Sequence, residues 1–141
     1  LDRSKAAQSK LSDLTVHVKV KLSALWATTV LCYIYGDLFG FFKQQTLTDI
    51  VAGKAGPLGT QSGLLAAAVS VAIPSVMVIL SLVLPPVVSR WSNIIFGVAY
   101  TLIILFTMPG AWLYYVFLGV IECGLTLAIV WCAWRWPKQS A

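Results

Sequence analysis

Charge is what this chain lacks. Asp, Glu, Lys and Arg make up 11% of its 141 residues, against 59% hydrophobic. A soluble domain carries about 25% charged residues. A water-soluble chain of this length has too little interior to hide so much apolar surface. Lipid is therefore the expected solvent for most of it, in a single domain. Acids are the scarcer sign, five against ten Lys and Arg, for a net charge of +5. In a membrane chain such an excess reads as topology and attraction to headgroups. No basic stripe interleaved with aromatics lies outside the apolar runs, so no nucleic-acid partner is expected.

Metal-binding and redox residues are also few. The chain has one histidine, His17, and three cysteines, Cys32, Cys123 and Cys132, none in a CxxC pair. The odd count argues against a disulfide framework. All three cysteines fall inside apolar runs, where they are expected to be small packing residues. No metal site and no cofactor are expected. There is also no nucleophile–base pair and no phosphate loop, which disfavours an enzyme.

What the chain does have is four apolar runs, at 22–42, 62–84, 91–108 and 112–134. A helix rises about 1.5 Å per residue, so such runs suit a hydrocarbon layer about 30 Å thick. The first run shows no small-x-small cleavage signal and exceeds the roughly 7–15 residues of a leader core, so it is expected to be a retained span. Before it, residues 1–13 read as a polar tail. Val16 to Leu22 then alternate valines with His17, Lys19 and Lys21, as in an extended linker carrying a basic collar.

The connections are uneven. In the long loop 43–61, residues 46–53 predict a short helix capped by Thr46 or Thr48 and stopped by Gly53. Leu47, Ile50 and Val51 share one face of it, which makes an amphipathic flap. Pro74 interrupts the second run and should kink it, freeing carbonyls near Ser70. Residues 85–90 form a short second loop. Asn93, Gly97 and Thr101 recur every four residues, a polar and small-residue face suited to helix contact. The turn 109–111 is so short that spans three and four must be antiparallel neighbours. Trp26, Trp91, Trp112, Trp134 and Trp136 lie near run ends, where tryptophan anchors the interface.

Basic residues near span ends set the orientation. Lys10, Lys19, Lys21, Arg90, Arg135 and Lys138 gather on one side, with Arg3 and Lys5 further out. Only Lys43 and Lys54 lie on the other. The positive-inside rule then places both termini in the cytoplasm and the flap outside. The expected fold is all-α: a four-transmembrane-helix bundle with a short amphipathic helix in the external loop between helices 1 and 2.

Two acids lie inside this apolar material, Asp37 in the first run and Glu122 in the fourth. A charge at the bilayer centre costs at least roughly 2.5 kcal/mol. Helix rise puts Asp37 roughly 22 Å, Ser70 roughly 21 Å, Glu122 roughly 18 Å and Tyr100 roughly 14 Å from the cytoplasmic ends of their spans. The spans hold no Lys or Arg to pair with. Burial and a neighbouring carboxylate both disfavour a second charge, so at least one acid is expected to keep its proton. Tyr33, Tyr100, Tyr115, Ser70 and Thr126 are the candidate partners in this ligand or proton site. Two functions fit. One is a binding or transport-like protein using a proton-sharing Asp37–Glu122 site for a cation or small amphipathic ligand. The other is a non-catalytic accessory subunit of a larger membrane complex, or of a homo-oligomer, in which the acids only glue helices.

The strings KVKLSALW, YIYGD, AIPSVMVILSLVLPP, RWSNIIFGVAYT and VIECGLTLAIVWCAWRWPKQ run from residue 16 to 139. In them the chain resembles an uncharacterised family of small bacterial four-helix membrane proteins. In layout it is also similar to DoxX-like four-helix proteins. The first resemblance implies a multi-pass protein of the bacterial cytoplasmic (inner) membrane, with Asp37 and Glu122 inside the shared motifs. It implies no particular activity.

Overall fold

A computed structural model describes residues 15–137. Among them the chain is all α, with α1 (Val18–Phe41), α2 (Gln44–Val51), a 3-10 turn (Gly56–Gly59), α3 (Gln61–Val83), α4 (Pro86–Thr107) and α5 (Leu113–Trp134). Four of these helices, α1, α3, α4 and α5, are long and apolar enough to cross a membrane, and they form a bundle. The polar tail expected at 1–13, with Lys10, and the terminal Lys138 lie outside the described residues.

Two helices start earlier than their apolar runs. The Val16–Leu22 alternation is not extended, because α1 already begins at Val18. His17 stands at its N-cap and accepts from the Lys19 backbone N–H at 3.3 Å. Lys19 is not a free collar residue either. Its Nζ donates to the carbonyls of Leu82 (3.1 Å) and Leu84 (2.7 Å), which lack helical partners at the end of α3. The loop expected at 85–90 shrinks to Leu84 and Pro85, because Pro86 opens α4. Proline suits the first helical position, where its missing N–H would have had no partner. The flap helix runs from Gln44 to Val51 without a side-chain cap, and Gly53 follows it at φ +71°.

α1 packs on both α3 and α5, and α4 packs most extensively on α5. Contact between α3 and α4 is sparser. The expected Asn93–Gly97–Thr101 face is buried in the bundle. A Cβ on Gly97 would lie 2.7 Å from Val130 Cγ2 and 3.3 Å from the Thr126 carbonyl, so glycine sets the close approach of α4 to α5. Gly63 serves the same end at the start of α3, since a Cβ there would collide with the Pro57 carbonyl.

The end of the bundle that carries the chain termini is closed. Leu22, Trp26, Met77, Ile129 and Ala133 form its core. Trp26 is 0% exposed, so the sequence expectation of an interfacial anchor fails for it. With α1 starting at Val18, Trp26 sits roughly 12 Å along the helix, too deep for its indole N–H to reach water. It donates instead to Asn93 Oδ1 at 2.7 Å. Asn93 Oδ1 also accepts from Ser81 Oγ at 3.1 Å, and Asn93 Nδ2 donates to the Ser89 carbonyl at 2.7 Å. Ser89 Oγ completes the set by donating to the Ser81 carbonyl at 3.2 Å. Every polar side chain of this cluster has a partner, which is the condition for burying it at all. Trp91, Trp112 and Trp134 are exposed on the outer surface, while Trp136 is half-buried against the core.

Candidate functional site

The opposite, flap end of the bundle is open. In α1, Tyr33, Gly36 and Asp37 recur at i, i+3 and i+4, which puts them on one face. In α5, Tyr115, Leu118 and Glu122 do the same at i, i+3 and i+7. These six residues line one small cavity of about 30 Å³. That is room for a water molecule or two; an organic cation meets the pair only from outside this cavity, at Asp37. Glu122 is buried, at 7% exposed, and Asp37 is exposed. The expectation that both carboxylates are buried therefore holds for Glu122 alone. Asp37 lies only four residues from the end of α1, close enough to the rim to stay open.

The small cavity adjoins a larger cleft of about 840 Å³ that shares its Gly36, Asp37 and Tyr115 walls. The cleft is bounded by α1, the flap, the 3-10 turn and the first halves of α3 and α5. Leu64, Ala67 and Val71, spaced along one face of α3, supply much of its apolar wall. Lys43, Asp49 and Lys54 supply charge around its mouth. Asp37 thus stands where the wide cleft narrows to the pocket that holds Glu122. A cleft of this size is in the range that takes a drug-sized molecule, about 300–1,000 Å³.

The sequence-derived partners divide. Tyr33 and Tyr115 face the acids' cavity. The Tyr33 hydroxyl is buried there with no hydrogen-bond partner among the described residues, and its ring lies 6.1 Å from that of Tyr100. Tyr115 donates to Thr107 Oγ1 at 3.3 Å. Tyr100, Ser70 and Thr126 do not line that cavity. Tyr100 donates to the Ser70 carbonyl at 2.6 Å. That carbonyl lies four residues before Pro74, which has no N–H to offer it, so Tyr100 repairs the gap that the proline opens. Ser70 itself is exposed on the cleft wall and turns its hydroxyl back to the Ala67 carbonyl at 2.7 Å. Thr126 accepts from Thr101 at 2.7 Å and donates to the Glu122 carbonyl at 3.0 Å. It joins α4 to α5 and leaves the Glu122 carboxylate alone.

Sequence reasoning did not single out Gly36 and Leu118 in the inner cavity, or Lys43, Asp49 and Lys54 at the cleft. Of the last three only Asp49 carries a helical signal: with Thr46 and Ile50, which also line the cleft, it falls on one face of the flap at i, i+3 and i+4. Among the described residues no three His, Cys, Asp or Glu side chains gather as a metal site would require. The arrangement is suited to holding a proton, a water or a cation between two carboxylates and a phenol. The six residues that line the cavity include no serine, threonine or cysteine.

No curated protein and no solved structure matches the chain. The sequence model of DUF6326, a family of unknown function, matches residues 10–141, and the chain belongs to that family.

Proposed function

We propose that this protein binds a cation or a cation-headed ligand inside the membrane, at a proton-sharing site made by Asp37 and Glu122. The observation that carries this reading is the shared cavity: two carboxylates and an unpartnered buried Tyr33 hydroxyl face one space that leads into an open cleft. Lys19, Lys21 and Arg90 stand in the first turns of α1 and α4 at the other end of the bundle, and no Lys or Arg lines the acids' cavity to neutralise the pair. An incoming cation takes the place of the shared proton, and Tyr33 finds its partner in the ligand or its water. Access is from the flap end, because the Trp26–Asn93 cluster closes the other. The same reading puts both termini on the cytoplasmic face of a bacterial inner membrane, where Lys19, Lys21, Arg90 and Arg135 lie. Trp91, Trp112 and Trp134 then anchor the interfaces.

The test is infrared difference spectroscopy of the protein in phosphatidylcholine nanodiscs, with tetramethylammonium as probe. Binding is expected to replace a protonated-carboxyl band by a carboxylate band, and Glu122→Gln is expected to remove the change. Spectra that stay constant as tetramethylammonium is added sink the proposal.

A second reading is an accessory subunit of a larger membrane assembly or a homo-oligomer. It is favoured by α3, the least covered of the four long helices, whose first half shows Leu65, Ala66, Ala68 and Val69 to the outside. Cross-linking in native membranes tests it, with a stable protein adduct on α3 as the supporting result and lipid-only adducts as the opposing one.

A further inference from the structure

The larger cleft has walls from α1, α3, α5 and the flap, and none from α4. The hydrogen bonds that tie α3 to α4 are the Ser81–Ser89–Asn93 set near their connection and, nearer the flap, Tyr100 to the Ser70 carbonyl. Beyond Ser70 the first half of α3 is exposed residue after residue, save half-buried Gly63 and Ala67. In a chain whose four long helices cross a bilayer, this places an opening between α3 and α4 at hydrocarbon depth. At that depth it faces acyl chains. Part of the flap's apolar face points outward as well. Val51 is 88% exposed and Leu47 is exposed, while Ile50 turns to the cleft, and the helix is short and amphipathic. Such a helix lies in the headgroup boundary with its apolar face in the acyl region. It roofs the cleft at the level where an amphiphile's head and chain part.

We infer that the cleft takes a long-chain amine dissolved in the bilayer, which enters sideways between α3 and α4 and sets its ammonium against Asp37 and Glu122. This rests on the cation reading of that pair and adds the ligand's class and route. Charge complementarity selects the head. Asp37 stands at the inner end of the cleft with Glu122 just beyond it, while Lys43 and Lys54 are at the mouth. Lys43 is already engaged over the Trp112 and Tyr114 rings, at 5.5 and 5.9 Å from their centroids. The chain lies along Leu64, Ala67 and Val71, the apolar wall open to lipid. A ligand coming from water would meet the flap and its charged rim first. One coming from lipid meets the α3 wall.

The experiment uses the full chain in phosphatidylcholine vesicles with two probes. One is a hexadecyltrimethylammonium bearing a photoactivatable group in its chain, located by mass spectrometry after illumination. The other is tetramethylammonium, the same head without a chain, read by the carboxyl infrared bands. Label concentrated on residues 64–71 of α3, and competed away by the unlabelled long-chain amine, is expected. Ala67→Trp, which fills the wall, is expected to lower that label at least roughly ten-fold while the tetramethylammonium band change survives. Surviving band change also shows that this variant has folded. Label spread evenly over all lipid-facing helices, with tetramethylammonium still changing the bands, overturns the lateral route and the long-chain ligand but keeps the cation site. Constant carboxyl bands with both probes overturn the cation site and this inference together.

Discussion

At the termini end of the bundle, Asn93 accepts from Trp26 and Ser81 and donates to Ser89, and no side chain of that cluster is left over, while Arg90 Nε beside it is buried without a partner among the described residues. At the flap end, Tyr33 has no partner, Glu122 faces a cavity and Asp37 opens onto a cleft. Both halves put polar side chains where lipid surrounds the chain. One closes them on each other and gains a sealed, specific contact among three helices. The other directs them at empty space, which adds little to stability and suits a ligand. One half holds the protein together, and the other carries the proposed site. This contrast can be attacked from either half.

The heaviest damage is expected in the sealed half. Trp26→Ala removes a fully buried indole and strands the Asn93 and Ser81 groups that turned toward it. A loss of about 3–5 kcal/mol is expected in reversible unfolding in bicelles. A loss below about 1 kcal/mol would mean that the half collapses around the hole, and the contrast between the halves would fade.

Much of the sealed half was legible in the residues, and its key contact was not. Four apolar runs and short turns imply four helices and the α4–α5 pairing, and the Asn93–Gly97–Thr101 spacing marks the contact face. Trp26 was misplaced because tryptophan near a run's end reads as an anchor, and the run was taken to start at Leu22. Val18 to Lys21 alternate in hydropathy, and that short-range pattern masked the first turn of α1, which is held by the His17 cap and the Lys19 contacts with α3. For the site, helix spacing groups Tyr33 with Asp37 and Tyr115 with Glu122, and these four line one cavity. Tyr100 and Ser70 are placed by depth and Thr126 by its spacing from Glu122, and neither depth nor spacing says which partner a side chain turns to. Thr126 shows the limit most plainly. It follows Glu122 by one turn on the same face, yet its short side chain bonds to its own helix and to Thr101.

A smaller effect is expected where the halves join. Gly97→Val would drive a branched side chain into Val130 and the Thr126 carbonyl. The expected cost is about 1–3 kcal/mol by the same unfolding measurement. Because α5 also carries Glu122, the tetramethylammonium band change should weaken as α4 and α5 are pushed apart. An unaltered stability would show that Gly97 is a convenience rather than the reason for the close approach.

Tyr100→Phe tests the tie at the edge of the open half. It leaves the ring in place beside Trp26 and Tyr33 and removes only the bond to the Ser70 carbonyl. Polar bonds between helices in membranes average about 0.6 kcal/mol, and a loss of that order is expected. The sharper readout is photolabelling of α3 by the long-chain amine, which should rise if this bond limits how far α3 and α4 part. A label yield equal to that of the unaltered protein would remove Tyr100 from the portal.

The least change in stability is expected at the residue most central to the proposed site. Glu122→Gln keeps the shape of a buried side chain and removes its charge. If the carboxyl group were helix glue, its loss would be felt as broken contact, because a buried polar group deprived of its partners destabilises by about 1–3 kcal/mol. The α5 contacts near it run through other atoms: Thr126 to Thr101, Tyr115 to Thr107, and Gly97 against Val130. Replacing a charge that faces a cavity should therefore leave stability within about 0.5 kcal/mol, or raise it by sparing the cost of desolvation. Unfolding and cation binding measured on the same Glu122→Gln preparation distinguish the two roles. Intact stability with lost binding keeps the two halves distinct. A stability loss above about 2 kcal/mol would make the flap end a second structural core, held by Glu122 as the first is held by Asn93.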